Sequence, residues 1–199
     1  MKKFELTAEF VTNVFGKKLF RIKALVAFGD VEKGELGGFI EKEDNLSHDG
    51  DAWVSGDAWV YGDARVYGGA RVSGDARVYG DAQVSGNARV SGDAWVYGGA
   101  RVSGDARVYG GARVSGDARV YGNADYAAVA GFGRYSRTTT FFRCKDKILR
   151  VQCGCFYGDL AQFREIVKKT HGDSKYAKEY LAIADLMELH FSDECGGEQ

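Results

Sequence analysis

The chain has 199 residues, with 27 Lys and Arg set against 28 Asp and Glu. This near-balance argues against duplex nucleic acid or an anionic membrane as a partner. No stretch approaches the roughly 18 apolar residues of a membrane span, no leader-like run follows Met1-Lys2-Lys3, and four cysteines in a chain this long do not make a secreted disulfide framework, so a cytoplasmic protein with reduced thiols is expected.

Residues 1–49 read as an N-terminal β cap. Phe10 to Phe15, then Gly16-Lys17-Lys18, then Leu19 to Ala24 has the pattern of a β-hairpin. Gly34 to Ile40 and Asn45-Leu46-Ser47 read as irregular lead-in coils. A cap is required there, because the open end of a stacked β structure is an unpaired strand edge.

Residues 50–127 are repetitive. From Gly50 the chain runs GDAWVS, GDAWVY, GDARVY, GGARVS and onward through twelve hexads without an insertion, ending at Tyr121. A thirteenth, Gly122 to Ala127, is degenerate. Ala-x-Val is a short strand that turns Ala and Val to one face and x to the other. Ala and Val must point inward, because nothing else in the hexad can form a core. Gly tolerates positive φ, with Asp or Asn beside it, so the remaining residues form a corner. One such unit cannot bury its own face, whereas stacked copies can. A disordered low-complexity tract would not keep an apolar pair in every copy, and a six-residue period is too short for an open antiparallel sheet.

Residues 128–199 read as a small α+β unit, a hairpin plus two helices. Thr138 to Cys144 and Ile148 to Cys155 are the expected strands. Asp159 caps a helix to about Thr170 with Leu160, Phe163, Ile166 and Val167 on one face, and Gly172 ends it. Ser174 to about Phe191 is a second helix, with Tyr176, Tyr180, Ile183, Ala184 and Met187 at helical spacing.

The aliphatic-to-small spacing of the hexads, as in Val54 to Ala58 and Val60 to Ala64, resembles the hexapeptide repeat of left-handed β-helix proteins. One departure is Ser or Tyr just after the aliphatic, where that family commonly has a small or acidic residue. The resemblance implies a mainly β fold, a left-handed parallel β-helix of about four regular coils with three hexads each, on the order of 19 Å long at about 4.8 Å per rung. It also implies a homotrimer with ligands held between prisms. The whole chain, through Leu36 to Glu43, Asn45-Leu46-Ser47, the hexads, Cys153-Gly154-Cys155-Phe156 and Thr170-His171-Gly172-Asp173, resembles an uncharacterised prophage-encoded family. That resemblance implies a phage protein acting inside a bacterial cell.

With three hexads to a coil, stacking would place the outward residues in rows. The first face carries Trp53, Arg71, Arg89 and Arg107. The second carries Trp59, Arg77, Trp95 and Arg113, with Tyr61, Tyr79 and Tyr97 along one corner. The third carries Arg65, Gln83, Arg101 and Arg119. Planar guanidinium forks suit phosphate and aromatic rings suit bases. The second face and its three tyrosines are therefore the candidate site for a small anionic nucleotide-like ligand. Arg-Asp pairs between coils with Arg-Trp stacking, or a subunit interface, would account for the same residues without a ligand.

Catalysis has thinner support. The best-known hexapeptide-repeat enzymes are acyltransferases with a His base, but fold alone does not carry activity. Of His48, His171 and His190, only His48 lies near the repeats, and it reads as a cap residue. Cys144, Cys153, Cys155 and His171 lack the paired spacing of a zinc site, with Cys153 and Cys155 expected on one strand face. The repeats lack the nine-residue period of calcium-binding coils and the Thr rows of an ice-binding face. The expected function is a non-catalytic phage binding protein, without cofactor or metal, that sequesters a nucleotide-like signal of host anti-phage immunity. The alternatives are a structural or protein-inhibiting module and, third, a His48 acyltransferase.

Overall fold

A computed structural model describes residues 1–192. Two compact units follow one another, Met1–Asn123 and Ala124 onward. The N-terminal cap therefore shares a unit with the repeats.

The first unit is a β-solenoid. Strands β1 (Phe4–Thr12) and β2 (Lys18–Ala24) form an antiparallel hairpin that pairs with β3 (Leu36–Ile40). Twelve two-residue strands follow, from β4 (Trp53–Val54) to β15 (Arg119–Val120). They stack in parallel, each residue over its counterpart three hexads on, to give three sheets. The second face has five rungs, because Phe39 pairs with Trp59 below the regular coils. Every Ala from Ala52 to Ala118 and every Val from Val54 to Val120 in the hexads is fully buried. Each such Val contributes about 1.5–2 kcal/mol over an exposed one.

The corners explain the first residue of the hexad. The twelve glycines from Gly50 to Gly116 have φ between 61° and 72°, and those from Gly50 to Gly98 each stack on the glycine of the next coil. A Cβ on Gly86 would lie 2.8 Å from the Gly104 nitrogen. Conformation and space both require glycine there.

The stack is polar along its axis. Each coil donates its N–H groups to carbonyls of the next, as in Trp59 N to Ala76 O and Arg77 N to Ala94 O, both 2.9 Å. The N-terminal end therefore presents carbonyls, and the cap supplies donors to them. Phe39, Glu41 and Ser47 donate backbone N–H groups to Ala58, Val60 and Val66. At two corners side chains take this role. Asn45 Nδ2 donates to Gly62 O (3.0 Å) and Ala64 O (2.8 Å), and Lys3 Nζ donates to Gly50 O (3.1 Å) and Ala52 O (2.9 Å). Both residues are buried.

The lead-in segment is more regular than its sequence indicates. Ile40 pairs with Val60 and Leu46 with Val66, just as rung residues pair higher in the stack. It is a coil of the solenoid in which two extra residues between Leu46 and Val54 obscure the period. The hairpin begins earlier than read, at Phe4. Its turn spans Asn13–Lys17, where Asn13 Oδ1 accepts from the Phe15 and Lys17 N–H groups.

The second unit is a four-stranded antiparallel sheet with two helices. The strands β16 (Tyr126–Val129), β17 (Thr139–Arg143), β18 (Leu149–Cys153) and β19 (Phe156–Asp159) pair in sequence order. The sheet is thus two strands larger than the hairpin expected, and the boundary read at Ala127 falls inside β16. Asp159 caps α1 (Leu160–His171) through the Gln162 N–H, Gly172 closes it with φ 55°, and Ser174 caps α2 (Lys175–Phe191). Edge contacts of Phe163 with Phe141 (6.1 Å) and Tyr180 (5.8 Å) organise the core between helices and sheet. Ile166 and Tyr176, both expected on buried faces, are more than a third exposed.

Candidate ligand-binding face

The second face of the solenoid carries three parallel columns. Its central column is Phe39, Trp59, Arg77, Trp95 and Arg113, with Arg21 of the hairpin beside Phe39. The Arg77 guanidinium lies over the Trp59 ring at 4.6 Å and over Trp95 at 5.2 Å. Arg113 caps Trp95 at 4.7 Å, and Arg21 covers Phe39 at 4.3 Å. Along the corner that follows, Tyr61 stacks on Tyr79 (5.0 Å, 2°) and Tyr79 on Tyr97 (5.1 Å, 3°). Along the corner that precedes it run Asp57, Asp75 and Asp93, likewise one per coil.

On this face alone are both corner columns unbroken over three coils. The Asp row ends at Gly111 and the Tyr row at Ser115, in the same coil. The equivalent corners elsewhere mix Ser with Tyr and Asp with Gly or Asn. This pattern was present in the sequence in every third hexad, and the Asp column is the feature that reading outward residues alone passed over.

The geometry changes what the columns can do. The three tyrosines lie parallel to one another, whereas Tyr79 meets Trp95 edge-on at 6.2 Å and 74°, so the phenol and indole columns turn their rings in different directions. Guanidinium groups lie over Trp95 from the rungs on either side and over Trp59 from one side. Beside them the surface offers phenols and carboxylates. Burial beside Tyr61 and Tyr97 pushes the Tyr79 phenol up to about 12, and burial likewise raises Tyr61. Both hydroxyls are neutral donors at physiological pH.

Arg77 is the best-placed anion donor. It is half-buried between two indoles, and among the described residues no carboxylate lies within 4.0 Å of it. The same is true of Arg65, Arg89 and Arg101. Inter-coil Arg-Asp pairing thus does not account for these four. Arg71, by contrast, is ion-paired to Asp30. Flanking indoles restrict the guanidinium before a ligand arrives, which lowers the ordering cost of an anion contact.

A cavity of about 360 Å³ lies at the N-terminal end of this face, lined by Glu9, Val11, Arg21, Phe39, Asp57, Trp59, Asp75 and Arg77. Arg21 is committed within it. Its Nε donates to Glu9 (2.8 Å), Nη1 donates to Gly37 O (2.9 Å), and Nη2 is 3.8 Å from Asp57. Arg77 and Asp75 carry no such ties.

Trp53 departs from expectation. The hexad pattern puts it on an outer face, but it is 2% exposed, because Phe28 of the segment between β2 and β3 packs edge-on against it at 5.4 Å.

His48 borders a cleft of about 670 Å³ beside the third face, with Glu43, Arg65, Tyr67 and Gln83. Its Nδ1 accepts the Lys3 N–H (3.2 Å), its ring stacks on Phe4 (4.3 Å), and Nε2 lies 3.6 Å from Glu43. With Nδ1 accepting, the proton sits on Nε2, so the ring has no lone pair to offer a substrate. Cys153 ends β18, where it accepts from the Thr139 hydroxyl at 3.2 Å, while Cys155 is exposed in the following turn. The two are not on one strand face. Among the described residues no group of three or more His, Cys, Asp or Glu is placed to hold a metal ion, and no helix is long and apolar enough to cross a membrane.

No curated protein matches the chain. The repeat family described as YdcK Beta solenoid repeat matches in tandem at residues 58–72, 70–83, 82–98, 100–116 and 112–124, about a third of the chain, so the stretch that carries the candidate face is similar to a known β-solenoid repeat.

Proposed function

We propose that the protein is a non-catalytic binding protein whose second solenoid face holds a small anionic, nucleotide-like ligand. The observation that carries this reading is Arg77, clamped between Trp59 and Trp95 with no carboxylate partner of its own among the described residues. A guanidinium flanked by two indoles is restrained by them and keeps N–H donors for an anion. In that partly desolvated setting a charge-assisted bond to phosphate is stronger than in bulk water. Neutral phenols at Tyr61 and Tyr79 add donors along one side.

The proposed role is sequestration. The resemblance to prophage-encoded proteins supports a ligand drawn from the nucleotide signals of host anti-phage immunity, bound and held without being converted. The resemblance of the hexads to left-handed β-helix proteins supports a homotrimer, which light scattering would measure.

Titration calorimetry against cyclic dinucleotides and cyclic ADP-ribose-type molecules tests the reading. Micromolar binding is expected, with the compound recovered intact after the protein is denatured and affinity lost in Arg77→Ala. If the wild type binds none of them, while a host protein is captured equally by wild type and Arg77→Ala, the face belongs to a protein-inhibiting module instead.

A further inference from the structure

The proposed site has a second chemical half, on the opposite side of the central column from the phenols. We infer that the ligand is a guanine nucleotide, its base set in the cavity at the N-terminal end of the second face with its donor edge on Asp57 and Asp75 and its phosphate on Arg77. This rests on the reading of the second face as an anion-binding surface, and it adds which base that surface selects.

Part of the cavity's polar lining is already used. Arg21 and Glu9 satisfy each other at 2.8 Å, and Arg21 also stacks on Phe39. The remaining polar groups are the guanidinium of Arg77 and the carboxylates of Asp57 and Asp75, with Val11 and Trp59 also in the lining. Asp57 has only the 3.8 Å contact to Arg21, and its side chain is 73% exposed. Asp75 makes no ion pair within 4.0 Å among the described residues. A volume of about 360 Å³ sits at the small end of ligand pockets. It has room for one base-sized group, with the phosphate outside on the column.

Ionised carboxylates only accept hydrogen bonds. The ligand edge that meets Asp57 and Asp75 must therefore donate. Guanine offers two adjacent donors, N1–H and the 2-amino group. Adenine sets an acceptor, N1, beside its 6-amino group, so lone pairs would face lone pairs. A ligand edge that turns lone pairs toward these carboxylates gains no hydrogen bond from them and meets like charge, so it binds less well than an edge that donates. Arg77, on the same rung as Asp75 and next but one to it in the chain, supplies the opposite charge for the phosphate. The same molecule must therefore carry a donor-rich flat group and an anion a short distance apart.

Binding of cyclic di-GMP, cyclic GMP-AMP and cyclic di-AMP to the full chain, at one fixed salt concentration, tests this. The wild type is expected to rank them by guanine content, with cyclic di-GMP at least tenfold tighter than cyclic di-AMP. Asp57→Asn with Asp75→Asn should shrink that gap to threefold or less. Asn stands at the equivalent corner position 87, so the double variant fits the fold, and an unchanged thermal midpoint confirms it. Equal affinities for the three compounds, or a preference that survives the double variant, would overturn the base assignment and leave the anion-binding face standing. Failure of all three to bind would overturn the base assignment, and failure of the cyclic ADP-ribose-type molecules as well would remove the anion-binding reading.

Discussion

The two units of this chain are held together in different ways. In the regular coils the inward Ala and Val side chains have no unique partners. Each Ala and Val meets its own copy one coil away, and backbone hydrogen bonds between coils repeat, as at 2.9 Å from Trp59 to Ala76 and from Arg77 to Ala94. In the second unit the core depends on individuals, such as Phe163 set edge-on to both Phe141 and Tyr180. Stability in the first is a sum over rungs and their interfaces. In the second it depends on the fit of particular rings. A repeating scaffold can therefore vary its outward positions freely, and the second face is where that freedom is used.

Single substitutions should expose this contrast. The largest effect is expected for Phe163→Ala, which removes the ring at the centre of the second unit. A loss of about 3–5 kcal/mol is expected, read as faster hydrogen exchange across the second unit. Val78→Ala, one wall of one rung, should cost far less. Equal losses for the two would erase the distinction drawn here.

Next comes Gly86→Ala. It places a Cβ 2.8 Å from the Gly104 nitrogen at a φ of 63°, at a cost of about 2–3 kcal/mol. Because each coil leans only on its neighbours, exchange should quicken in the coils on either side and fade with distance along the stack. Uniform loosening of the whole solenoid would show cooperativity beyond nearest neighbours.

Asn45→Ala leaves the carbonyls of Gly62 and Ala64 without their side-chain donor. About 2 kcal/mol is expected, measured by denaturant midpoint. The effect should concentrate at the N-terminal coils.

The smallest effect is a pH dependence. Burial pushes the Lys3 ammonium down to about 8, while an unfolded chain keeps it near 10.4. Between those values the unfolded state binds the extra proton, so stability rises with pH through this window. The rise should be on the order of 1 kcal/mol, because nearby Asp51 and solvent screen the charge. Chemical denaturation at pH 7.5 and 9.5 should show this component in the wild type and not in Lys3→Met.

How far the structure could be read in advance follows the same division. In the hexads the chemical period equals the structural one, so the three rows, including Trp59, Arg77 and Trp95 on successive rungs, follow from counting. Two inserted residues were enough to hide the lead-in coil, although Ile40 and Leu46 are ordinary inward rung residues. Nothing local marks Trp53 as covered, since Phe28 reaches it from a segment that precedes the lead-in coil. In the second unit β16 looked like a decayed hexad, and β19 is four residues long, with a place set by pairing partners rather than by pattern. At the candidate site the residues in each row were legible. The direction of their ring faces was not, because it depends on stacking between rungs.

On the proposed reading a pre-set guanidinium, not bulk charge, makes the second face a binding surface. Titrating cyclic di-GMP into the protein tests this most directly, with fluorescence of Trp59 and Trp95 followed in a Trp53→Phe background and the titration repeated with Arg77→Lys. Lys keeps the charge but has neither the planar fork nor the stacking. A saturating change in emission with the arginine and at least a tenfold weaker midpoint with the lysine is the predicted result. Equal midpoints for the two, or no saturable change in either, would contradict it.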